Sequence, residues 1–107
     1  YPGLKSHADH ELCRSMVSGF GNMVSFVVDG GDDAGRKMLN NMTVASQAIS
    51  LGGVESLISM PYATTHASWT QEARITAGID LGFVRFSTGL EDFDDLKDDF
   101  DQALSSL

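Results

Sequence analysis

Arg85 is the residue whose surroundings in this sequence point most directly to chemistry. It lies in the segment Gly82–Gly89, GFVRFSTG, whose aromatic and β-branched residues predict a strand. Side chains alternate between the two faces of a strand, so Arg85 and Phe83 point to one face and Val84 to the other. A guanidinium group beside an aromatic ring needs an anion within reach, because an unpaired buried charge is costly. The segment therefore predicts either an internal ion pair or a binding site for a carboxylate.

Two loop segments carry residue types that suit a ligand pocket. Ser50–Glu55, SLGGVE, contains paired glycines, which allow positive φ angles or a close approach of the backbone to a ligand. Thr64–His66, TTH, follows Pro61 and predicts a polar loop. Each segment alone is more typical of a simple turn than of a binding site, so neither identifies a function by itself.

Other candidate ligands and nucleophiles lack partners in the sequence. His7 and His10, with Glu11 beside them, have the i, i+3 spacing that could bind a metal ion from one helix face. No third committed ligand accompanies the two histidines, so a solvated face is preferred. Cys13 has no nearby base and predicts a buried or incidental thiol. His66 predicts loop packing. The sequence therefore predicts no metal site and no catalytic group of its own.

Periodicity places these segments on a few helices and strands. Helices are predicted over residues 6–16, 33–41, 70–77 and 92–104. Strands are predicted over residues 23–28, 55–60 and 83–87, with 43–49 extended or irregular. This order predicts an α+β fold, in which helices pack on one face of a small, mostly antiparallel sheet. The other face of the sheet would then be free to contact another surface.

Residue spacing also predicts which side chains are buried. The last helix has one apolar stripe, formed by Phe93, Leu96, Phe100, Ala103 and Leu104. In the first helix the residues at helical spacing are Leu12, Met16 and Val17. Core positions are predicted for the five methionines, Met16, Met23, Met38, Met42 and Met60. We predict that the solvent-exposed side of the last helix carries the acidic residues Glu91, Asp92, Asp94, Asp95, Asp98, Asp99 and Asp101.

Composition narrows the classes of protein to which the chain can belong. Its 107 residues suit one domain, spanning 1–107, with a small core. The net charge of -8 disfavours nucleic acid and anionic membranes as partners, and no apolar run reaches the roughly 20 residues of a membrane span. The single cysteine excludes an internal disulfide and favours a reducing, cytoplasmic location. The sequence opens without Met, so we expect a piece of a longer protein.

Taken in order, the motifs resemble one enzyme family. The order is SLGGVESL, a Pro followed by TTHAS, QEARITAGI, and GFVRFSTGLEDFDDL with DQAL. It is similar to the C-terminal domain of the pyridoxal-phosphate-dependent trans-sulfuration enzymes, which are fold-type I enzymes: cystathionine γ-synthase, cystathionine γ-lyase, methionine γ-lyase and the homoserine sulfhydrylases. The opening segments YPGL, SH, HEL and SGFGNMVSF resemble the family's entry into that domain.

The resemblance implies a substrate-binding role for three residues. The family's strand arginine binds the α-carboxylate of the amino-acid substrate and corresponds to Arg85, in agreement with the carboxylate site predicted from the residues alone. The family's serine before Leu-Gly, here Ser50, and its threonine before His, here Thr65, border the same pocket. The competing structural interpretation is an ion pair of Arg85 with Glu55 or with a C-terminal Asp.

The residue before Ser50 bears on the choice of reaction. Cystathionine-handling members often have Glu there, whereas methionine γ-lyases have an apolar residue, and this chain has Ile49. An aliphatic side chain offers no partner to a cationic substrate arm, so we expect methionine γ-lyase-like elimination at Cγ. The alternatives are cystathionine γ-synthase or γ-lyase activity and O-acyl-homoserine sulfhydrylase activity. The loop Pro61–Thr64, PYAT, departs from the family's small residue and Met before Thr-His, so its pocket residues are not carried over.

The resemblance also implies groups that this chain does not supply. In the family, pyridoxal 5'-phosphate is held by a Lys of a large domain, and none of Lys5, Lys37 and Lys97 resembles that residue. We therefore expect no activity from this chain alone. Its expected partners are the large cofactor domain, a sulfur amino acid or acyl-homoserine, and further subunits of a homotetramer. A non-catalytic interaction module and a purely structural role are the alternatives.

Overall fold

In the computed structural model, which describes residues 1–107, the chain folds around one four-stranded sheet. The strands are β1 (Met23–Val27), β2 (Ser46–Gln47), β3 (Leu57–Ser59) and β4 (Phe83–Ser87). The helices are α1 (His10–Met16), α2 (Gly31–Asn41), α3 (Gln71–Thr76) and α4 (Phe93–Leu104), and a short 3-10 turn covers Pro61–Ala63. None of the helices has both the length and the apolarity needed to cross a membrane.

The strand order is β1-β4-β3-β2, with β4 antiparallel to both of its neighbours. The predicted α+β fold is therefore confirmed, and the predicted third strand coincides with β4. The sheet is mixed rather than purely antiparallel, because β2 runs parallel to β3. This short strand lies within residues 43–49, whose polar Ser46 and Gln47 gave no strand signal.

The core lies between one face of the sheet and two helices. Val84 and Phe86 of β4 are 0% and 6% exposed, as their alternation with Arg85 predicts. The rings of Phe86 and Phe100 meet edge-on, with their centroids 5.0 Å apart. The other buried members of this core cluster are Val28, Met38, Leu39, Ala45, Ile58, Met60, Leu96 and Ala103. Burial of each large member contributes roughly 2 kcal/mol to stability.

Two predicted helix boundaries arise from local signals. The hydroxyl of Thr70 accepts a hydrogen bond from the N–H of Ala73 and caps α3. The chain leaves this helix through Gly78, whose φ of +79° suits glycine. At α4 the carboxylate of Asp92 accepts from the N–H of Asp94. These caps fix the helices on either side of β4.

The first helix is shorter than predicted, and its apolar side chains do not enter the core. Residues before His10 form successive turns, in which the N–H of His7 bonds to the carbonyl of Leu4 and that of His10 to His7, so Ser6 is not a cap. Leu12, Met16 and Val17 are all exposed, Met16 by 74%. The predicted core position of Met16 was wrong, because no other element of this chain covers the side of α1 on which these three residues lie.

The predicted apolar stripe on α4 is also only partly buried. Leu96 and Ala103 are buried and Phe100 packs against the core, whereas Phe93 is 76% and Leu104 43% exposed. The helix is therefore buried through its centre, and both ends of the stripe face outward.

Asp99, assigned to the wet side of α4, is instead 2% exposed. Its carboxylate accepts hydrogen bonds from the N–H groups of Thr43, Val44 and Ala45 at 2.6, 2.9 and 3.0 Å. Burial would raise the pKa of Asp99, but hydrogen bonds from Ala45, Thr43 and Val44 outweigh burial, and the pKa is lowered. Asp99 thereby fixes the segment that leads into β2.

Candidate functional site

β4 presents Arg85 on the sheet face opposite the core. There the arginine is half-buried and lies between Ser25 of β1 and Ser59 of β3. These flanking side chains are small, so they leave room around the long guanidinium side chain. The neighbouring Phe83 is also half-buried on this face, and Val27 of β1 is 51% exposed.

Arg85 opens into a cavity of about 350 Å³. The cavity is lined by residues from the β2–β3 connection, β3, the 3-10 turn with the residues that follow it, and β4: Ile49, Ser50, Ser59, Pro61, Thr64, Thr65, His66 and Arg85. All four residues selected from the sequence, Arg85, Ser50, Thr65 and Ile49, therefore line the same cavity although they come from three distant segments. Their roles toward a substrate remain predictions.

The guanidinium of Arg85 has no carboxylate partner within the chain. None of the ion pairs involves it, and its one hydrogen-bond contact is to the sulfur of Met23 at 3.8 Å, a weak acceptor. The alternative ion pair with Glu55 or a C-terminal Asp is thus not formed. A half-buried cation on a cavity wall remains able to bind an anion.

Ser50 is held at the cavity wall by hydrogen bonds to its own hydroxyl. The hydroxyl of Ser87, at the end of β4, donates to the Ser50 oxygen at 3.0 Å. The N–H of Gly52 donates to the same oxygen at 3.3 Å, and Gly52 has a φ of +89°, as the glycine pair predicted. The loop therefore places this hydroxyl relative to the strand that carries Arg85.

A second set of contacts anchors the same loop beyond Ser50. The carboxylate of Glu91 accepts from the N–H and the hydroxyl of Ser56 at 2.8 and 2.6 Å, and the Ser56 hydroxyl accepts from the N–H of Gly89. Gly89 is required here, because a Cβ would lie 2.3 Å from the carbonyl oxygen of Val54. These bonds lower the pKa of Glu91, the hydrogen bond from the Ser56 hydroxyl most and the one from the Ser56 N–H next.

Sequence reasoning missed this role of Glu91, which it had grouped with the solvated acids. The available signal was Gly89, two residues before Glu91, since a glycine near the end of a strand can mark a close approach of another backbone segment.

Thr65 and His66 form the polar side of the cavity. The hydroxyl of Thr65 lies 2.7 Å from Nδ1 of His66. The His66 ring also packs edge-on against Trp69, with centroids 4.6 Å apart. The backbone N–H of His66 donates to the carbonyl of Pro61 at 2.8 Å. His66 thus has the predicted loop-packing contacts and orients the Thr65 side chain as well.

Arg74 is a buried cation that the sequence analysis did not identify. It is 8% exposed, with Nη1 3.5 Å from Oδ2 of Asp32, and its Cζ lies 4.9 Å from the centroid of the Tyr62 ring. Its partners are distant in sequence, so no local pattern marks it. Asp32 also accepts from the N–H of Gly82 at 2.7 Å, which fixes the start of β4.

The candidate metal ligands near the N-terminus do not form a site. No group of three His, Cys, Asp or Glu residues is placed to hold a metal ion. His10 is 8% exposed rather than solvated, and its Nδ1 lies 2.7 Å from the carbonyl of Pro2 while its ring stacks on Phe20. Cys13 is half-buried in this region. The histidine is a packing residue of the N-terminal segment.

The lysines of the chain do not fit a Schiff base with a carbonyl cofactor at this cavity. Lys5 and Lys37 are exposed, Lys97 pairs with Asp101 at 2.9 Å, and none of them lines the cavity. The residues around Arg85 fit a carboxylate ligand instead.

Comparison with known proteins gives a consistent assignment. A family model described as Cys/Met metabolism PLP-dependent enzyme matches residues 1–105. The chain is 44% identical over 107 residues to L-methionine gamma-lyase of Fusobacterium nucleatum subsp. polymorphum, and 48% identical over 104 residues to cystathionine gamma-lyase of Dictyostelium discoideum. These matches include 100% and 97% of this chain, respectively, but the chain spans only 27% of each relative's length.

Solved structures agree with the sequence relatives. The crystal structure of cystathionine gamma synthase from Xanthomonas oryzae pv. oryzae in complex with cystathionine superimposes with a TM-score of 0.89 at 45% identity. The match covers 98% of this chain and 27% of that one. Relatives with different activities thus match to a similar degree, and overall identity does not separate their reactions.

Proposed function

This chain belongs to the family of pyridoxal-phosphate-dependent enzymes of cysteine and methionine metabolism, and we propose that it is the C-terminal domain that positions the substrate. The observation that carries the proposal is the guanidinium of Arg85, which has no internal carboxylate partner and lies in one cavity with Ser50 and Thr65. The ligand would be the α-carboxylate of a sulfur amino acid.

The planar fork of a guanidinium matches a carboxylate through two parallel N–H donors. Held in this way, the carboxylate fixes the orientation of the bonds at Cα, and correct orientation lowers the barrier to reaction. The hydroxyls of Ser50 and Thr65 would offer further hydrogen bonds from the cavity wall. When bound, pyridoxal phosphate supplies an electron sink for bonds broken at Cα.

The cofactor site would lie outside this chain. Because no lysine lines the Arg85 cavity, we infer that the cofactor lysine and the phosphate-binding groups belong to a large domain. The length of the relatives, of which this chain spans 27%, supports such a domain. We further propose that the complete enzyme is a homo-oligomer and that this chain alone is inactive.

Within the family, Ile49 favours a substrate with an uncharged side chain. It is 44% exposed, lines the Arg85 cavity and directly precedes Ser50. Its aliphatic surface gives a distal ammonium group no partner, whereas a thioether such as that of methionine loses nothing by contacting it. We therefore place methionine γ-lyase-like elimination ahead of reactions on cystathionine or acyl-homoserine.

The test uses the cofactor-loaded enzyme that carries this chain. We expect Arg85→Ala to lower kcat/KM for L-methionine by about 100-fold or more, because charge-assisted hydrogen bonds to the carboxylate are lost. L-methioninol, which lacks the carboxylate, should inhibit the wild type and Arg85→Ala with constants that agree within about twofold, since it never contacts the fork.

Arg14→Ala is the matched control, because Arg14 is an exposed arginine whose ion pair with Glu11 is at the surface. It should leave both constants unchanged. If Arg85→Ala kept the kcat/KM of the wild type, or weakened methioninol as much as methionine, the carboxylate-binding role would be wrong.

A further inference from the structure

Two arginines lie close to the ring of Tyr62. The Cζ atoms of Arg74 and Arg36 lie 4.9 and 5.7 Å from the centroid of its ring, both within the range of a cation–π interaction. A nitrogen of Arg36 also donates to the tyrosine hydroxyl. The ring therefore joins α2, which carries Arg36, to α3, which carries Arg74.

The burial of Arg74 gives this ring an electrostatic role. Its Nη1 is buried and has no hydrogen-bond partner, and the Asp32 carboxylate is 3.5 Å away without hydrogen-bond geometry. Because a buried cation with incomplete pairing is costly, the electron-rich face of Tyr62 offsets part of that cost. Tyr62 is thus held in place by two charges as well as by the core against which it packs.

The same turn connects Tyr62 to the wall of the Arg85 cavity. In the segment Met60–His66, N–H groups of Thr64 and His66 bond to the carbonyl of Pro61 at 3.2 and 2.8 Å. The hydroxyl of Thr64 donates to the carbonyl of Met60 at 3.1 Å. Since these bonds make the segment one compact unit, a shift at Tyr62 moves the residues that line the cavity.

Tyr62 itself does not line the Arg85 cavity. It lines a neighbouring cavity of about 420 Å³, and the two cavities share Ser59 and Thr64. Thr64 is therefore the part of the turn that separates them. Without the tyrosine ring, the turn would lose its fixed position and the wall between the cavities would open.

We propose that Tyr62 is a positioning residue for substrate selectivity: clamped by Arg36 and Arg74, it fixes the turn that bounds the substrate side chain. This inference rests on the proposed function, in which Arg85 holds the α-carboxylate at the other end. Tyr62 would accordingly affect how the enzyme discriminates between side chains of different length, and would leave carboxylate binding intact.

The experiment compares kcat/KM of the cofactor-loaded enzyme for a series of S-alkyl homocysteines, from methionine to the S-butyl compound. In Tyr62→Ala we expect the ratio of kcat/KM between the shortest and the longest member to change by about tenfold. The reason is that the turn no longer holds a fixed wall against the methylene groups of the substrate side chain. Tyr62→Phe, which keeps the ring beside Arg74 and loses only the hydroxyl that Arg36 contacts, should retain most of the wild-type preference. Tyr62→Leu keeps part of the apolar volume without the π face and replaces Tyr62→Ala if that variant does not fold.

Tyr1→Ala is the matched control, since Tyr1 packs on Phe20 near the N-terminus and does not line either cavity. An equal loss of activity toward every substrate in Tyr62→Ala and Tyr62→Leu would overturn the inference and leave the function of Arg85 intact. Failure of the proposed function has a different signature, because Arg85→Ala would then bind methionine as the wild type does.

Discussion

Arg74 and Arg85 are both removed from full solvent exposure, yet the fold treats their charges in opposite ways. Arg74 is 8% exposed and faces the Asp32 carboxylate and the Tyr62 ring. Arg85 is half-buried, and its guanidinium has one hydrogen-bond contact, to a thioether sulfur. The first cation is compensated in part by the chain itself, whereas the second lines a cavity without an internal anion.

This contrast separates a charge that the chain pairs internally from one that we propose binds a ligand. A protein gains stability from a buried ion only when the same fold provides its counter-charge. A cation without an internal counter-charge lowers the stability of the fold. Such a cation is expected where a bound ligand supplies the missing anion. The distinction depends on the partners of each arginine. Burial and residue type alone would have made Arg74 a stronger candidate for a binding site than Arg85.

The largest effect on stability is expected at Arg74. We expect Arg74→Ala to destabilise this domain by about 3 kcal/mol, because Asp32 loses its counter-charge and the Tyr62 ring loses a cation. In contrast, Arg85→Ala should change stability by less than about 0.5 kcal/mol. Native-state hydrogen exchange of the β4 amides in the complete enzyme measures both changes locally.

Arg14→Ala again serves as the control, with a change comparable to that of Arg85→Ala. The contrast would fail if Arg85→Ala proved as destabilising as Arg74→Ala, since Arg85 would then have an internal partner in solution.

Asp99 extends the contrast to an anion. Its carboxylate is fully compensated by N–H groups of residues 43–45, so Asp99→Asn should destabilise the domain by about 2 kcal/mol at neutral pH. Because folding lowers the pKa of Asp99, its contribution is complete above the ordinary value of 3.8 and is lost as the pH falls through the lowered pKa. The wild type and the variant should therefore converge in stability below pH 3.8.

Asp98→Asn provides the control for this measurement, since the Asp98 side chain is 81% exposed and pairs only at the surface with Lys97. We expect it to be nearly neutral. A constant gap between wild type and Asp99→Asn from neutral to acidic pH would show that the charge of Asp99 does not contribute to folding.

Local signals made most of the fold predictable. β4 was predicted with its observed ends, and α3 and α4 begin at the polar residues Thr70 and Asp92 that cap them. The strand β2 escaped prediction because its two residues are polar and gain their structure from pairing with β3. The exposed side chains of α1 show a related limit: helical spacing predicts a face, but the spacing does not say whether anything covers it.

The site was predictable where a motif carried it and not where tertiary contacts did. Arg85, Ser50, Thr65 and Ile49 came from ordered motifs and line one cavity. The anchors of that cavity, Glu91 and Tyr62, depend on partners 35 and 26 residues away, respectively. No pattern within one segment could identify those pairs, and the acidic surroundings of Glu91 suggested the opposite role.

The smallest expected effect concerns the substrate selectivity of the Arg85 cavity. Ile49→Glu should raise kcat/KM for cystathionine relative to methionine by about tenfold, because a carboxylate at this wall can pair with the distal ammonium of cystathionine, whereas a thioether gains nothing. Ile49→Gln, which adds a similar polar volume without charge, is the matched control and should shift the ratio much less. If both ratios stay at the wild-type value, Ile49 does not face the substrate side chain. The preference for methionine would then have to be withdrawn, while the role of Arg85, which depends on the other end of the substrate, would stand.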